Sequence, residues 1–168
     1  TVIVHGKPAA AISGPNIICH AGSTVLTASG VGTYLWSNGA TTSTINVSPT
    51  TLTTYTVTVT NSYGCTSTAT KTVNVSSPLS VSIDYKGSVC LETNKQISAN
   101  VSGGTPVYSY QWTGPSGFTG NTETITITNN GNYYLTVTDV NGCSAVTSGF
   151  IYQQFDPFIV SLNTTVCE

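Results

Sequence analysis

The chain of 168 residues is poor in charge: only 6% of its residues are Asp, Glu, Lys or Arg, Arg and Met are absent, and the net charge is -2. Four Lys spread along the sequence cannot assemble a basic patch able to neutralise several phosphates, which sets nucleic acid aside as a partner. No apolar run approaches the roughly 20 residues of a membrane helix, and no charged segment followed by an apolar one marks a leader at the start. Histidine occurs only twice, at His5 and His20, and neither has a context that suggests a nucleophile with its base. No CxxC pair is present for a structural metal. Low charge with 39% hydrophobic residues also argues against disorder, which needs low hydrophobicity together with high net charge.

What the chain has in quantity is Thr, Ser, Val, Gly and Asn. β-Branched side chains suit a pleated, half-buried surface, while Gly and Asn suit tight turns, so the composition is that of an all-β protein. Its organisation is repetitive. Thr1-Val2-Ile3-Val4 precedes Pro8, Thr72-Val73-Asn74-Val75 precedes Pro78, and Phe150-Ile151-Tyr152 precedes Pro157. Cys19, Cys90 and Cys167 follow these prolines at nearly constant distance. This places the last strand of one repeat at 1–7, a whole domain at 8–77, a second at 78–156, and the first strand of a further repeat at 157–168.

Within each whole domain the same signals recur in the same order. Val25-Leu26-Thr27-Ala28 or Ile97-Ser98-Ala99-Asn100-Val101 is followed by a strand carrying Trp36 or Trp112. Then come Ile45-Asn46-Val47 or Ile125-Thr126-Ile127, and Tyr55-Thr56-Val57-Thr58-Val59 or Tyr133-Tyr134-Leu135-Thr136-Val137. A tight turn, Asn61-Ser62-Tyr63-Gly64 or Asp139-Val140-Asn141-Gly142, leads into a cysteine and a long final strand. Short alternating runs punctuated by turns, without a helical period, predict β-sandwiches.

The run Gly131-Asn132-Tyr133-Tyr134-Leu135 resembles the start of strand F in immunoglobulin folds, where a corner tyrosine lies two residues before a disulfide cysteine. The resemblance makes Tyr133 and Tyr55 the corner tyrosines. Leu135 and Val57 take the cysteine's place, and apolar packing against Trp112 and Trp36 replaces the inter-sheet bridge. The fuller pattern has Cys-x-x-Gly before Leu-Thr-Ala, then Trp-Ser-Asn-Gly-Ala-Thr-Thr, Thr-Tyr-Thr-Val-Thr-Val-Thr and Gly-Cys. It is similar to the Ig-like and PKD-like repeats of Bacteroidota surface proteins, among them SprB-like gliding adhesins and cargo of the type IX secretion system. The resemblance implies tandem immunoglobulin-like β-sandwich domains at the cell surface, without catalytic activity or cofactor. Domain 1 matches closely; domain 2 departs from the pattern at Trp112-Thr113-Gly114-Pro115-Ser116-Gly117 and has a longer loop up to Asn121.

Five cysteines in such a chain point to an oxidising compartment. Their repeated spacing predicts one bridge within each domain, Cys19–Cys65 and Cys90–Cys143, with the partner of Cys167 in a further repeat. A strict immunoglobulin topology instead separates the first of these pairs to opposite poles and suggests Cys19–Cys143. Both pairings stand at this stage.

The carboxylates, Asp84, Glu92, Glu123, Asp139, Asp156 and Glu168, are scattered rather than paired, so no glycosidase site is implied. Asp139 and its followers read as a hairpin turn, without the further ligands of a calcium loop. Tyr108, Tyr110 and Phe118 bracket the longer loop of domain 2 and are the candidate ligand contacts, since aromatics beside a loop offer rigid amphipathic surface. Functionally the reading is a stalk or surface-contact repeat of a large extracellular adhesin. Its partners would be neighbouring repeats and extracellular polysaccharide. Spacer or carbohydrate-binding module of a secreted polysaccharide-degrading enzyme, and subunit of a surface filament, are the alternatives.

Overall fold

A computed structural model describes residues 2–86 and 95–152. The chain forms two compact units, Thr1–Pro78 and Leu79–Glu168. Residues 157–168, assigned above to a further repeat, lie outside the described residues, as do Cys90 and Cys167. Residues 2–7 form no strand, and Val2, Ile3 and Val4 stand exposed.

Domain 1 contains β1 (Ala11–Ser13), β2 (Ile17–Ile18), β3 (Thr24–Ser29), β4 (Thr33–Trp36), β5 (Thr44–Val47), β6 (Thr53–Thr60) and β7 (Thr66–Val75). They make two sheets, in the orders β1-β3-β5 and β2-β7-β6-β4. Every pairing is antiparallel except that of β2 with β7, where Ile17 and Ile18 run parallel beside Asn74 and Val75.

Domain 2 contains β8 (Ser80–Lys86), β9 (Lys95–Ser102), β10 (Ser109–Thr113), β11 (Thr119–Gly120), β12 (Thr124–Ile127), β13 (Gly131–Thr138) and β14 (Ser144–Ile151). A short 3₁₀ turn at Pro115–Gly117 is its one helical element among the described residues. Its sheets run β12-β9-β8 and β11-β10-β13-β14. In each domain β3 or β9 lies between the first strand and the fifth, and the penultimate strand lies between the Trp strand and the last. That is the strand order of an immunoglobulin-like sandwich.

Alternation builds each core. Along β6, Val57 and Val59 are fully buried while Thr56, Thr58 and Thr60 alternate with them on the other face, and along β13 Tyr133, Leu135 and Val137 are buried in the same alternation. The central member is the tryptophan, 2% exposed at Trp36 and fully enclosed at Trp112. An indole N–H buried in an apolar core must find an acceptor. Trp36 Nε1 donates to the carbonyl of Thr42 at 2.8 Å, and Trp112 Nε1 to that of Thr122 at 2.9 Å. Each acceptor lies in the segment that leaves the Trp strand, so one bond ties the core to its own following loop.

The corner tyrosines part company. Tyr133 is wholly buried and its hydroxyl donates to the Asn129 carbonyl at 3.0 Å, four residues upstream, which closes the corner. Burial pushes its phenol pKa up, against the smaller opposing pull of that bond. Gly114 is a spacing requirement here, because a Cβ at that position would come within 2.7 Å of the Tyr133 ring. Tyr55 is only half-buried against the domain 1 core and lies opposite Lys71. A different strand-to-loop bond is common to both domains, ahead of the Trp strand: Tyr34 donates to the Gly30 carbonyl and Tyr108 to the Gly103 carbonyl, both at 2.7 Å.

Truncating the central ring should show how much each core depends on it. Trp112→Ala is expected to destabilise domain 2 by about 3–5 kcal/mol, as other large-to-small core changes do. Urea unfolding followed by circular dichroism should show the loss in domain 2, while Trp36 fluorescence shows domain 1 unaffected; Trp36→Ala, with Trp112 fluorescence, is the reciprocal experiment.

Candidate functional site: the cysteine turns and the poles of each domain

The turn before the last strand is built identically in the two domains. In domain 1, Asn61 Oδ1 accepts the backbone N–H groups of Tyr63 (3.0 Å) and Cys65 (2.9 Å), and the Asn61 N–H donates to the Cys65 carbonyl. In domain 2, Asp139 Oδ1 accepts from Asn141 and Cys143, both at 2.9 Å, and the Asp139 N–H donates to the Cys143 carbonyl. The glycine before each cysteine, Gly64 at φ +78 and Gly142 at φ +82, takes the left-handed conformation that brings the chain back. The side chain thus holds in place the hairpin that carries the cysteine.

The two turns differ in charge. Asp139 spends its second oxygen on the Thr105 N–H at 2.9 Å, which ties the turn to the loop between β9 and β10. Burial alone would raise its carboxyl pKa, but the three N–H donors, from Thr105, Cys143 and Asn141, outweigh it and hold the value below the ordinary one. In domain 1 the uncharged Asn61 uses its amide to donate to the Gly6 carbonyl at 3.0 Å instead. His5 lies flat on Tyr63 there, ring centroids 3.6 Å apart, and its carbonyl is 3.7 Å from Cys65 Sγ. Beside them lies an open cavity of about 440 Å³ lined by Lys7, Pro8, Gly30, Val31, Asn61 and Tyr63.

Cys65 is a free thiol, whereas Cys19 and Cys143 are both disulfide-bonded. The pair Cys19–Cys65, expected from the repeated spacing, does not form, and the geometry of β7 says why. Ile18 pairs with Val75 at one end of that strand, and Cys65 immediately precedes Thr66 at the other. Ten extended residues separate the two poles by roughly 30 Å, against the 7 Å or so that a bridge can span between Cα atoms. Cys90 lies outside the described residues, and with it the expected pair Cys90–Cys143.

The same strand geometry fixes where the chain enters and leaves each domain. It comes into domain 1 beside the Asn61 turn, with the Ala9 carbonyl against Gly30, and departs from Val75 at the far pole. There the Ser76 N–H and hydroxyl both donate to the Ile18 carbonyl at 2.9 Å. It comes into domain 2 with Leu79 against Gly104 and Gly104 against Asp139, and departs along β14 to the opposite pole.

Tyr108, Tyr110 and Phe118 are half-buried and packed against the domain 2 core. Tyr108 donates its hydroxyl to the Gly103 carbonyl at 2.7 Å, and Phe118 meets Tyr133 edge-on at 5.4 Å. Burial raises the Tyr110 phenol pKa, and the charge of Glu123 adds to it. These rings extend the core under the longer loop while keeping part of their surface exposed. His20 is exposed in the Cys19–Gly22 turn, and Asp84 is exposed on β8. Among the described residues no three His, Cys, Asp or Glu side chains cluster as a metal site would require.

Two measurements check this arrangement. Alkylation before reduction, followed by peptide mapping, should label Cys65 and leave Cys19 and Cys143 in disulfide-linked peptides. For Asp139, folding lowers the carboxyl pKa, so its contribution to stability is present above the unfolded value of about 3.9 and fades as pH falls through the folded value. Asp139→Asn should therefore lower domain 2 stability at neutral pH and flatten its acid-side decline, read by Trp112 fluorescence in a Trp36→Phe background. Domain 1, with Asn61 in the same seat, is the control, read by Trp36 fluorescence in a Trp112→Phe background.

No family model and no curated protein sequence matches the chain. Among solved structures it is similar to a 1.5-MDa bacterial ice-binding adhesin studied for host cell surface retention. The identity there is 16%, over 85% of this chain and 63% of that one, with a TM-score of 0.41. The chain thus spans less than two thirds of that structure. It is also similar to murine CEACAM1b, at 12% identity over 80% of this chain and 93% of that one, with a TM-score of 0.39. Such distant likenesses decide nothing about function, and the assignment of an immunoglobulin-like β-sandwich rests on the strand order itself.

Proposed function

We propose that the chain is a repeat segment of an extracellular bacterial adhesin, a non-catalytic module that adds length between a cell surface and whatever the parent protein grips. The observation that carries this reading is the separation of the two poles in each domain. A chain that enters at one end of a sandwich and leaves at the other adds the full length of its strands to any array, roughly 30 Å for a strand of the size of β7. Oxidised cysteines fit an extracellular setting. The sequence resemblance to Bacteroidota repeats supports a parent protein exported by the type IX route and engaged in attachment or gliding.

The cross-link belongs to this proposal. Cys19 sits where the chain leaves domain 1, Cys143 where it enters domain 2, and Cys65 holds a thiol. The alternative pairing raised by the sequence, Cys19 to Cys143, joins two cysteines that are both oxidised, and we adopt it. Such a bridge would staple successive repeats, so that pulling force bypasses everything between its ends.

Single-molecule stretching of the intact chain tests the reading. Before reduction, unfolding should release little length. Reduction should then free roughly 400 Å of contour, at about 3.5 Å for each residue between the two cysteines. Full-length release without reductant would exclude the staple. Unfolding of both domains at forces of a few piconewtons would sink the stalk role itself.

A further inference from the structure

The two domains share a fold but differ on one outward face. Trp36 lies opposite Val57 and Trp112 opposite Leu135, so these pairs align the sheets. On β13, alternation sends Asn132, Tyr134 and Thr136 outward, and on β14 it sends out Val146, Ser148 and Phe150. Tyr134 faces Ser148 across the ladder, which sets it on the diagonal to both Val146 and Phe150. Side chains so related start about 7–8 Å apart and remain within reach of one another. The three are 54%, 74% and 62% exposed.

The corresponding positions in domain 1 are Thr56, Thr68 and Thr72, by the same register. Strand pairing in this fold therefore does not require apolar side chains there. Threonine suits an exposed strand position at no cost in exposed apolar surface, whereas two aromatic rings and a valine held in water carry such a cost. An apolar patch of this kind, rimmed by polar groups, marks a contact surface.

We propose that this face of domain 2 binds a neutral polysaccharide, with Tyr134 and Phe150 as the platform and Val146 beside them. The chemistry of the rim selects that partner. None of the four strands of the sheet, β11, β10, β13 and β14, carries a charged residue, so the face offers nothing to an anionic or cationic partner. It offers instead rings set among hydroxyls and amides, those of Gln111, Thr113, Asn132, Thr136 and Ser148. A sugar unit has the matching division, with a C–H face for a ring and hydroxyls along its edge. An open sheet face also suits an extended polymer better than a small ligand, which needs an enclosing pocket. This deepens the adhesin reading by giving the repeat a grip of its own.

The test uses the intact, oxidised chain against insoluble cellulose, agarose and chitin, with anionic alginate as the contrast. Retention on at least one neutral polymer, little changed by salt, is expected. Replacing the three residues by their domain 1 counterparts, in Tyr134→Thr/Val146→Thr/Phe150→Thr, should weaken that retention at least tenfold while circular dichroism stays unchanged. Grafting Thr56→Tyr/Thr68→Val/Thr72→Phe onto that variant should restore it, which guards against a folding artefact. The proposal is overturned if no neutral polymer retains the chain, or if the triple variant binds as well as the parent. It is equally overturned if the face serves only self-association, seen as a sedimentation dimer that the triple variant loses. None of these failures touches the stalk reading, which the stretching experiment decides separately.

Discussion

Everything in the two domains is arranged around a buried indole that has to be both dry and hydrogen-bonded. An apolar cavity large enough for a tryptophan excludes water, so the ring N–H must be satisfied by the protein. Thr42 and Thr122 supply the acceptor from the segment that follows the Trp strand, and this anchors the crossover from one sheet to the other. With the ring fixed, Val57 or Leu135 must lie opposite it, and the register of the long hairpin follows. The tight turn at the end of that hairpin is then pinned by Asn61 or Asp139, so the cysteine after it is delivered to a defined pole. The disulfide chemistry at the surface is thereby downstream of the core.

Most of the fold was legible because its signals are local. Alternation in Tyr55–Val59 and Tyr133–Val137, the turn residues before each cysteine, and the single tryptophan per domain are properties of a few neighbouring positions. The expected corner at Tyr133 was legible for the same reason. Its counterpart Tyr55 is only half-buried, a difference that the shared Thr-Tyr or Asn-Tyr start of the two strands does not announce. The pairing of the cysteines lies beyond local signals altogether. The similar spacings of Cys19 to Cys65 and Cys90 to Cys143 look like equivalent loops, but spacing along a chain carries no information about which end of a ten-residue strand a residue sits on.

Domain 2 illustrates a second limit. Tyr108, Tyr110 and Phe118 stood out because they flank a loop, yet the space under a longer loop has to be filled, and these rings fill it. The exposed Tyr134, Val146 and Phe150 were hidden inside ordinary strand patterns, where an apolar residue at an outward position cannot be told from noise until the register shows three of them side by side. Comparison between the repeats supplied what a single domain could not. Where the fold is held constant and a face changes from threonine to aromatic, packing ceases to be a sufficient explanation.

The scarcity of charge noted at the outset acquires a meaning once the burial of the rest is known. Ions in solution act on a folded protein mainly by screening its charges, over a distance of about 10 Å at 0.1 M salt. Here the outward faces of the sheets carry hydroxyls, amides and some apolar side chains but little charge, and Asp139, which helps hold a turn, is buried and occupied by backbone donors. A module built in this way has little for electrolyte to loosen, and should hold the same shape in rain water and in brine.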